Sequence, residues 1–226
     1  MNLNLFLAEN ALSHFFHYQY WTVEEYDAIQ RFCESDNLDK TWKIKLRLIC
    51  EENNDFIVAA VLADSTPEEQ IFLYDKFRLG DSFIKISLKL HIHQNGLRRW
   101  RDRILSDVAA LMNYNLPISD TFSRNKIEAL IFSLERIINF MLSCGHYDPN
   151  VLNILKERLL KYQHLLFIIK QCLESGSDNV GIQILRTKIL NPNISAEELA
   201  KAVNSSHTTV NKYIHLFQKK FYPFEN

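Results

Sequence analysis

The chain has little glycine, little proline, few cysteines and no long hydrophobic run. Its 226 residues include 5 Gly, 5 Pro and 4 Cys, and this glycine content is well below the average of roughly 7%. Tight turns between strands rely on glycine and proline, so their scarcity favours a mostly helical protein. The longest apolar run, from Phe56 to Ala63, is far shorter than the roughly 20 residues of a membrane-spanning helix. We therefore expect no membrane association.

The cysteines and the N-terminus indicate a cytoplasmic protein. The cysteines lie far apart and form no C-x-x-C motif, a pattern typical of reduced thiols rather than of a disulfide framework. Residues 1–5 carry no Lys or Arg and precede no small-residue cleavage site, so they do not resemble a secretory signal.

Charge is distributed unevenly along the chain. The formal net charge is only −1, which excludes a globally basic nucleic-acid binder. Residues 1–65, however, hold 5 basic and 11 acidic side chains, whereas residues 82–105 hold six basic side chains and only Asp102 as an acid. This asymmetry is typical of an acidic N-terminal region that binds a partner, followed by a module that binds a polyanion. An ordinary solvated helix is the alternative explanation.

Prolines and caps predict where several helices begin. Thr66-Pro67-Glu68-Glu69 combines an N-cap, a proline in the first turn and first-turn acids. Asp148-Pro149 and Asn191-Pro192 look like similar helix starts. Apolar residues with helical period follow Asp120 up to Gly145 and again from Val151 to Leu173. The two resulting helices, joined by a short turn, are expected to pack as a long antiparallel hairpin.

The first 65 residues give weaker signals. A capping box at Thr22-Val23-Glu24-Glu25 predicts a helix to about Ser35. Residues 42–48 alternate like a strand, but no partner strand is evident and they run into the apolar stretch 56–63. We therefore favour a helix there as well.

Two segments carry the residue offsets of a helix-turn-helix. In the first, the small Ser87 is followed at fixed offsets by Leu90, Leu97 and Trp100, with His91 in the turn. Histidine is among the residues enriched at positive φ. Gly96 departs from the pattern, because a glycine inside a helix costs up to about 1 kcal/mol.

The second segment repeats the pattern around Ala200. Val203, Val210 and Tyr213 occupy its apolar offsets, and Asn204 stands in the turn. Only the polar Ser205 departs from it. Two occurrences of the pattern, both preceded by good caps, are hard to ascribe to chance.

Both segments resemble known DNA-binding modules. Residues 67–113, with Phe83-Ile84-Lys85-Ile86-Ser87-Leu88-Lys89-Leu90-His91-Ile92 running into Leu97-Arg98-Arg99-Trp100, resemble region 4 of sigma-70-type factors, and even more the small late-gene activators of phages and Gram-positive bacteria. Residues 194–217, with Glu197-Glu198-Leu199-Ala200 and Ser206-His207-Thr208-Thr209-Val210, are similar to the helix-turn-helix of many bacterial repressors. The resemblance implies DNA binding and transcription control, but not promoter melting.

Helical geometry predicts which side chains face DNA. Recognition helices are expected at about 94–112 and 206–218, with Leu97, Trp100, Ile104, Val108 and Leu111 facing the core in the first. Arginine suits guanine and asparagine suits adenine, whereas Lys89 and Arg101 are better placed for phosphates. The candidate DNA-binding residues are Lys89, Asn95, Arg98, Arg99, Arg101, Asp102, Arg103, Ser206, His207, Thr208, Asn211, Lys212 and His215.

Metal binding and catalysis find little support. The pairs His91-x-His93 and Cys144-x-His146 contain residue types that bind metals. However, the turn already explains His91, the helix start explains His93, and the hairpin explains Cys144. No phosphate-binding or nucleophile-elbow motif is present. We expect no cofactor and no enzymatic activity.

The sequence thus predicts an all-α protein with two helix-turn-helix modules linked by a helical hairpin. Its regions are an acidic N-terminal region (1–65), a first module (66–115), the hairpin (116–177) and a second module (178–226). The predicted function is a bacterial or phage transcriptional regulator that binds double-stranded DNA. The alternative is a protein–protein adaptor that uses the acidic N-terminus and the hairpin to bind RNA polymerase or another regulator.

The hairpin also predicts assembly. Its wide apolar faces either bury against the rest of the chain or form an oligomer interface. One recognition helix reads only a few base pairs, so we expect a homodimer through residues 121–175 that buries Leu159, Leu166 and Ile169.

Overall fold

All regular secondary structure in the computed structural model is helical within the residues it describes, 3–17, 38–145 and 147–221. This confirms the predicted all-α class. A π-helical turn at Tyr74–Arg78 and a 3-10 turn at Ile118–Asp120 accompany the α-helices. In chain order the α-helices are α1 (Leu3–His17), α2 (Leu38–Ala63), α3 (Pro67–Leu73), α4 (Phe83–Leu90), α5 (Gln94–Met112), α6 (Arg124–Cys144), α7 (Pro149–Glu174), α8 (Val180–Leu190), α9 (Ala196–Ala202) and α10 (His207–Phe221).

Side-chain caps set most of the helix starts. At α3 the Thr66 hydroxyl accepts the Glu69 amide N–H, which confirms the predicted N-cap, and the Glu69 carboxylate accepts the Thr66 N–H at 3.1 Å, which completes a capping box. At α7 the Asp148 carboxylate accepts the amide N–H of Asn150 at 2.8 Å, also as predicted. Each cap satisfies amide groups that have no partner inside the helix.

The predicted helix start at Asn191-Pro192 is wrong. Asn191 instead ends α8, and its amide N–H donates to the carbonyl of Thr187. The next helix, α9, begins after Ser195, whose hydroxyl and backbone N–H form a capping box with Glu198. The capping box satisfies two helix-terminal amides at once, whereas Asn191 leads into a turn that contains Pro192.

The N-terminal region is helical where the structure describes it. The segment 42–48 lies within α2, so the favoured helix is confirmed there. The helix predicted from Thr22 to about Ser35 lies outside the described residues. Ala8 and Leu12 on α1 are fully buried and anchor this helix to the core.

The predicted hairpin forms from α6 and α7. Gly145, at φ 68°, ends α6, and a short turn leads to α7. The Gln163 amide donates to the Glu135 carboxylate midway along the pair, as antiparallel packing requires. The outer side of α6 packs on α2, and Ile169 on α7 is fully buried within the chain. Ile169 therefore cannot contribute to a dimer surface, which corrects that part of the prediction.

One continuous core joins the first three predicted regions. Buried side chains from α1, α2, α5, α6 and α7 form a single cluster. The second module has a smaller cluster around Leu199 and Val210. The end of α10 joins the main core, because the ring of Phe217 stacks on Phe122 with centroids 4.9 Å apart. Within the described ranges, no helix is long and apolar enough to cross a membrane.

Candidate nucleic-acid interface

The first module orients α5 through a short left-handed turn. His91 ends α4 at φ 56° and ψ 31°, the left-handed conformation expected of it. Two residues later, His93 caps α5, and its Nδ1 accepts the amide N–H of Asn95 at 3.2 Å. Both histidines thus have the structural roles that their positions predict.

Close packing fixes the two helices against each other. Ile86 on α4 and Leu97 and Ile104 on α5 are almost completely buried. Trp100 packs edge-on against Phe72 of α3, with ring centroids 6.2 Å apart. A Cβ on Gly96 would lie only 3.1 Å from Ile92 Cγ2, so the unexpected glycine relieves crowding in the turn. The predicted core face of α5 is therefore confirmed.

The opposite face of α5 presents unpaired arginines to solvent. Asn95, Arg98 and Arg99 are exposed. In the part of the chain that the structure describes, neither Arg98 nor Arg99 makes an ion pair. Their guanidinium groups remain available for guanine edges or phosphates, which arginine binds through two parallel hydrogen bonds.

Three cations gather around the ring of Phe83, the first residue of α4. The Lys76 Nζ lies 5.0 Å from the ring centroid, and the Cζ atoms of Arg98 and Arg101 lie 6.0 and 5.7 Å from it. Of these three, only Arg101 has an acidic partner, Asp102, at 2.8 Å. Such a concentration of positive charge suits a phosphate.

Sequence reasoning missed Lys76 because it lies outside the basic stretch 82–105. Lys76 belongs to the π-helical turn Tyr74–Arg78. The wider turn of a π-helix changes the direction of the side chains, and such turns are frequent at functional sites. The sequence offers one signal for a role of Lys76, namely that it precedes Ser82, the cap of the predicted helix-turn-helix, by six residues.

Two of the predicted DNA contacts are held by buried acids instead. The Lys89 Nζ lies 2.9 and 2.8 Å from the two carboxylate oxygens of Asp75, which is 1% exposed. The guanidinium of Arg103 pairs with Glu69, which is almost as deeply buried. Each of these buried carboxylates lies beside a cation, so the two pairs serve the packing of α3 and the π turn.

Lys85, another member of the basic stretch, is paired at the surface. Its Nζ donates a hydrogen bond to the Asp81 carboxylate at 2.7 Å, and this bond raises the pKa of Lys85. The pair therefore reduces the positive field beside α4. Lys76, Arg98 and Arg99 make no ion pair with any described residue.

The second module has the same kind of left-handed turn and side-chain cap as the first, but its exposed side chains are polar rather than strongly basic. Asn204 adopts φ 48° in the turn, and the Ser206 hydroxyl accepts the amide N–H of Thr209 at 3.1 Å as α10 begins. Val210 is fully buried and Tyr213 and Ile214 pack beside it, as predicted. The candidate DNA contacts of this module are all exposed: Ser206, His207, Thr208, Asn211, Lys212 and His215.

The exposed face of α10 is polar rather than strongly basic. The amide of Asn211 lies 3.2 Å from Nδ1 of His207 one turn earlier, so these two side chains orient each other. Lys212 makes no ion pair with any described residue. The face offers hydrogen-bond donors for base edges, with one full positive charge for the backbone.

Among the described residues, no three His, Cys, Asp or Glu side chains come together as metal ligands would. His146 lies outside those residues. The chain matches no protein-family model, no curated protein and no solved structure. Its resemblance to sigma region 4, late-gene activators and bacterial repressors therefore remains a prediction from the residues themselves.

Proposed function

We propose that this protein is a sequence-specific DNA-binding transcriptional regulator with two helix-turn-helix modules. The single observation that carries the proposal is the exposed face of α5, where Arg98 and Arg99 stand beside Asn95 and have no acidic partner among the described residues. Helix α5 is rigidly held by its buried stripe, so this face has a fixed shape. A rigid helix with arginine and asparagine near its start is suited to the major groove.

The geometry divides the roles among the side chains. Asn95 and Arg99, exposed near the start of α5, are assigned to base edges. Arg98, Arg101 and Lys76, which surround Phe83, are assigned to the phosphate backbone, where they set the register of the helix. In the second module, Asn211 and Lys212 would supply a second set of contacts.

The proposal includes the setting of the protein. We place it in the cytoplasm, as a homodimer on double-stranded DNA, without a cofactor and without enzymatic activity. Two copies would present two identical recognition helices to a two-fold symmetric operator.

A protein–protein adaptor is the second candidate, and one observation favours it. Ile84 and Leu88 lie one turn apart on the outer face of α4, and they are 60% and 73% exposed. Apolar side chains at this spacing are typical of a contact with another protein. In that function the first module would bind RNA polymerase or another regulator through α4 instead of binding DNA through α5.

The test is binding of the full chain to genomic DNA fragments, followed by selection of a bound site and measurement of Kd by fluorescence anisotropy. The double variant Arg98→Ala/Arg99→Ala removes the face that carries the proposal. Its matched control, Lys156→Ala/Lys170→Ala, removes the same charge from exposed positions on α7. We expect the first variant to lose specific binding and the control to retain it.

Two results would contradict DNA binding as the function. One is the absence of any selected fragment at about 100 mM salt, where non-specific affinities are already measurable. The other is equal loss of binding in the two double variants, since that would show dependence on overall charge rather than on α5. The adaptor would then be favoured if Leu88→Asp abolished binding to purified RNA polymerase.

A further inference from the structure

The C-terminal end of α10 belongs to the main core and not only to the second module. Phe217 and Phe221 are buried in the cluster that also contains the buried side chains of α5, α6 and α7. The Phe217 ring stacks on Phe122, which is fully buried just before α6, and the Phe221 ring lies 5.2 Å from that of Phe217. Buried aromatic rings therefore fix the end of α10 on helices α1–α7, here called the body.

Hydrogen bonds hold the second module on the body at two further points. The amide of Gln218, next to Phe217 in the chain, donates to the carbonyl of Ile118 at 3.0 Å. In the turn between α8 and α9, the amide of Asn193 donates to the carbonyl of Asp64 at the end of α2. Because these contacts come from two different elements of the module, they restrict its rotation on the body more than one contact would.

A series of buried contacts links Phe122 back to α5. Lys126 on α6 is buried, and its Nζ lies 2.7 Å from Asp120 and 3.4 Å from Asp107. Asp107 belongs to α5, and Asp120 lies two residues before Phe122. The buried hydroxyl of Tyr162 also bonds to two backbone groups of the segment that joins α5 to this region. The two recognition helices are thus connected by packed side chains rather than by a linker alone.

The exposed faces of both recognition helices lie near the helix starts. Arg98 and Arg99 stand within the first six residues of α5, and Lys212 within the first six of α10. Recognition helices contact base edges with their N-terminal residues. At a rise of 1.5 Å per residue, Arg99 lies about 12 Å along α5 from Asp107, and Lys212 about 8 Å along α10 from Phe217. Both lengths are short compared with the roughly 34 Å of one DNA turn.

We propose that the two recognition helices of one chain read two segments of a single DNA site, which must hold these segments at one fixed spacing. The inference rests on the proposed function and names its target, a bipartite site. Each added base pair moves one segment by about 3.4 Å and turns it by about 35° relative to the other. Because α10 is packed on the body, its exposed face cannot follow this displacement without breaking the contact between Phe217 and Phe122. Phe217 is therefore a positioning residue.

The chemistry of the two faces favours joint binding over separate binding. Arg98 and Arg99, with Lys76 close to the same helix, give the first module most of the electrostatic attraction to phosphates. The exposed face of α10 carries mainly neutral hydrogen-bonding side chains together with Lys212. A face with so little charge binds DNA weakly by itself. It gains affinity when a rigid connection to the first module raises its effective concentration at the second segment.

The first experiment measures affinity as a function of spacing. The site selected by the full chain is synthesised with one, two or five base pairs inserted between its segments, and Kd is measured by fluorescence anisotropy. We expect Kd to rise about tenfold or more with five base pairs, which place the second segment on the opposite side of the duplex. Arg99→Ala should relax base preference only in the first segment, and Asn211→Ala only in the second.

Phe217→Ala tests whether the packing of α10 sets this spacing. The variant removes the ring that stacks on Phe122 but leaves every exposed residue of α10 in place. We expect Kd to become nearly independent of spacing, while base preference in both segments is retained. Loss of the folded second module would instead abolish base preference in the second segment. Phe167→Ala, which removes the same ring from an exposed position on α7, is the matched control and should keep the wild-type spacing dependence.

A second variant decides the matter if Phe217→Ala prevents folding of the second module. The double variant Asn193→Ala/Gln218→Ala removes two hydrogen bonds to the body but no buried ring. We expect it to weaken the dependence of Kd on spacing while its far-UV circular dichroism stays that of the wild-type chain.

Failure of this inference can be distinguished from failure of DNA binding. A chain that selects no DNA would contradict the proposed function as well. A selected site with a single segment, or a wild-type Kd that is equal at all spacings, would contradict the bipartite site alone. Wild-type spacing dependence in the folded Phe217→Ala variant, or in the double variant, would show that the packing of α10 on the body does not set the spacing.

Discussion

Gly181 on α8 lies directly against the aromatic ring of Tyr213 on α10. A Cβ atom at position 181 would approach Cδ1 and Cζ of that ring to 2.8 and 2.9 Å, closer than carbon atoms can pack. The glycine therefore permits the close crossing of the two helices that orients α10. The φ angle of Gly181 lies outside the left-handed region that favours glycine. The space taken by the Tyr213 ring therefore explains why a glycine occupies this position.

Gly181→Ala should destabilise the second module. The added methyl group must displace the Tyr213 ring, and overpacking of this kind costs about 1–3 kcal/mol. The gain in helix propensity offsets up to about 1 kcal/mol of this. Gly176→Ala is the control, because no atom lies within 4 Å of its position. Urea denaturation should show a lower midpoint for Gly181→Ala alone, and equal midpoints would contradict the crowding.

DNA affinity should fall steeply with salt. Lys76, Arg98 and Arg101 of each copy would give six phosphate contacts in a dimer, and release of their counterions gives a slope of log K against log salt of about −5. Anisotropy titrations between about 50 and 200 mM salt measure it. Lys76→Ala should make the slope shallower by about 2 per dimer. A wild-type slope shallower than about −2 would show that the cations around Phe83 do not touch the backbone.

The two modules should respond differently to loss of one side chain. Arg99→Ala should cost about 1–3 kcal/mol against the selected site and relax preference at one base pair, because its guanidinium makes no ion pair with any described residue. Lys212→Ala should produce a similar loss only if α10 also lies in a groove. Unchanged affinity for Lys212→Ala combined with Asn211→Ala would assign the second module to packing or protein contact.

Arg103→Ala separates structural from DNA-binding arginines. Its guanidinium pairs with the buried Glu69, so its loss leaves a buried carboxylate without its partner. We expect a lower urea midpoint for Arg103→Ala, whereas Arg99→Ala should unfold like the wild-type chain. If Arg99→Ala had the lower urea midpoint instead, Arg103 would again be assigned to DNA binding, as the helical period of the sequence predicts.

Lys126→Met should destabilise the fold in a pH-dependent way. Lys126 is buried, with its Nζ 2.7 Å from Asp120 and 3.4 Å from Asp107, and removal of a buried partner costs about 3–5 kcal/mol. Burial raises the pKa of Asp107, and Lys126 lowers it, so the variant should raise this pKa further. Because the folded variant then binds more protons than the unfolded chain, its stability should increase as pH falls from neutral towards that pKa.

Urea midpoints at pH 7 and pH 5 measure this effect. The difference between Lys126→Met and the wild-type chain should be smaller at pH 5. Arg124→Ala is the control, since its pair with Glu128 is exposed and contributes less than about 1 kcal/mol. A Lys126→Met defect that is independent of pH would show that the two carboxylates are not the cause.

Local chemistry made much of the structure predictable. The N-cap Thr66, the left-handed turn residues His91 and Asn204, and Gly145 at the end of α6 all lie where the sequence indicates. Each of these depends on a side chain and its immediate backbone neighbours, so a single stretch of sequence contains the necessary information. The buried stripes of α5 and α10 follow in the same way from helical period.

Contacts between distant residues decided the rest. The sequence places Arg98, Arg99 and Arg103 together in one basic stretch, but only the packing of α3 brings Glu69 to Arg103, while the other two have no acidic partner among the described residues. Only the π turn brings Lys76 to the ring of Phe83. The sequence by itself determined several helix ends and the buried faces of α5 and α10, although it misplaced the start of α9. The tertiary structure decided which charges remain free, because an ion pair depends on separation in space, which periodicity along the chain does not record.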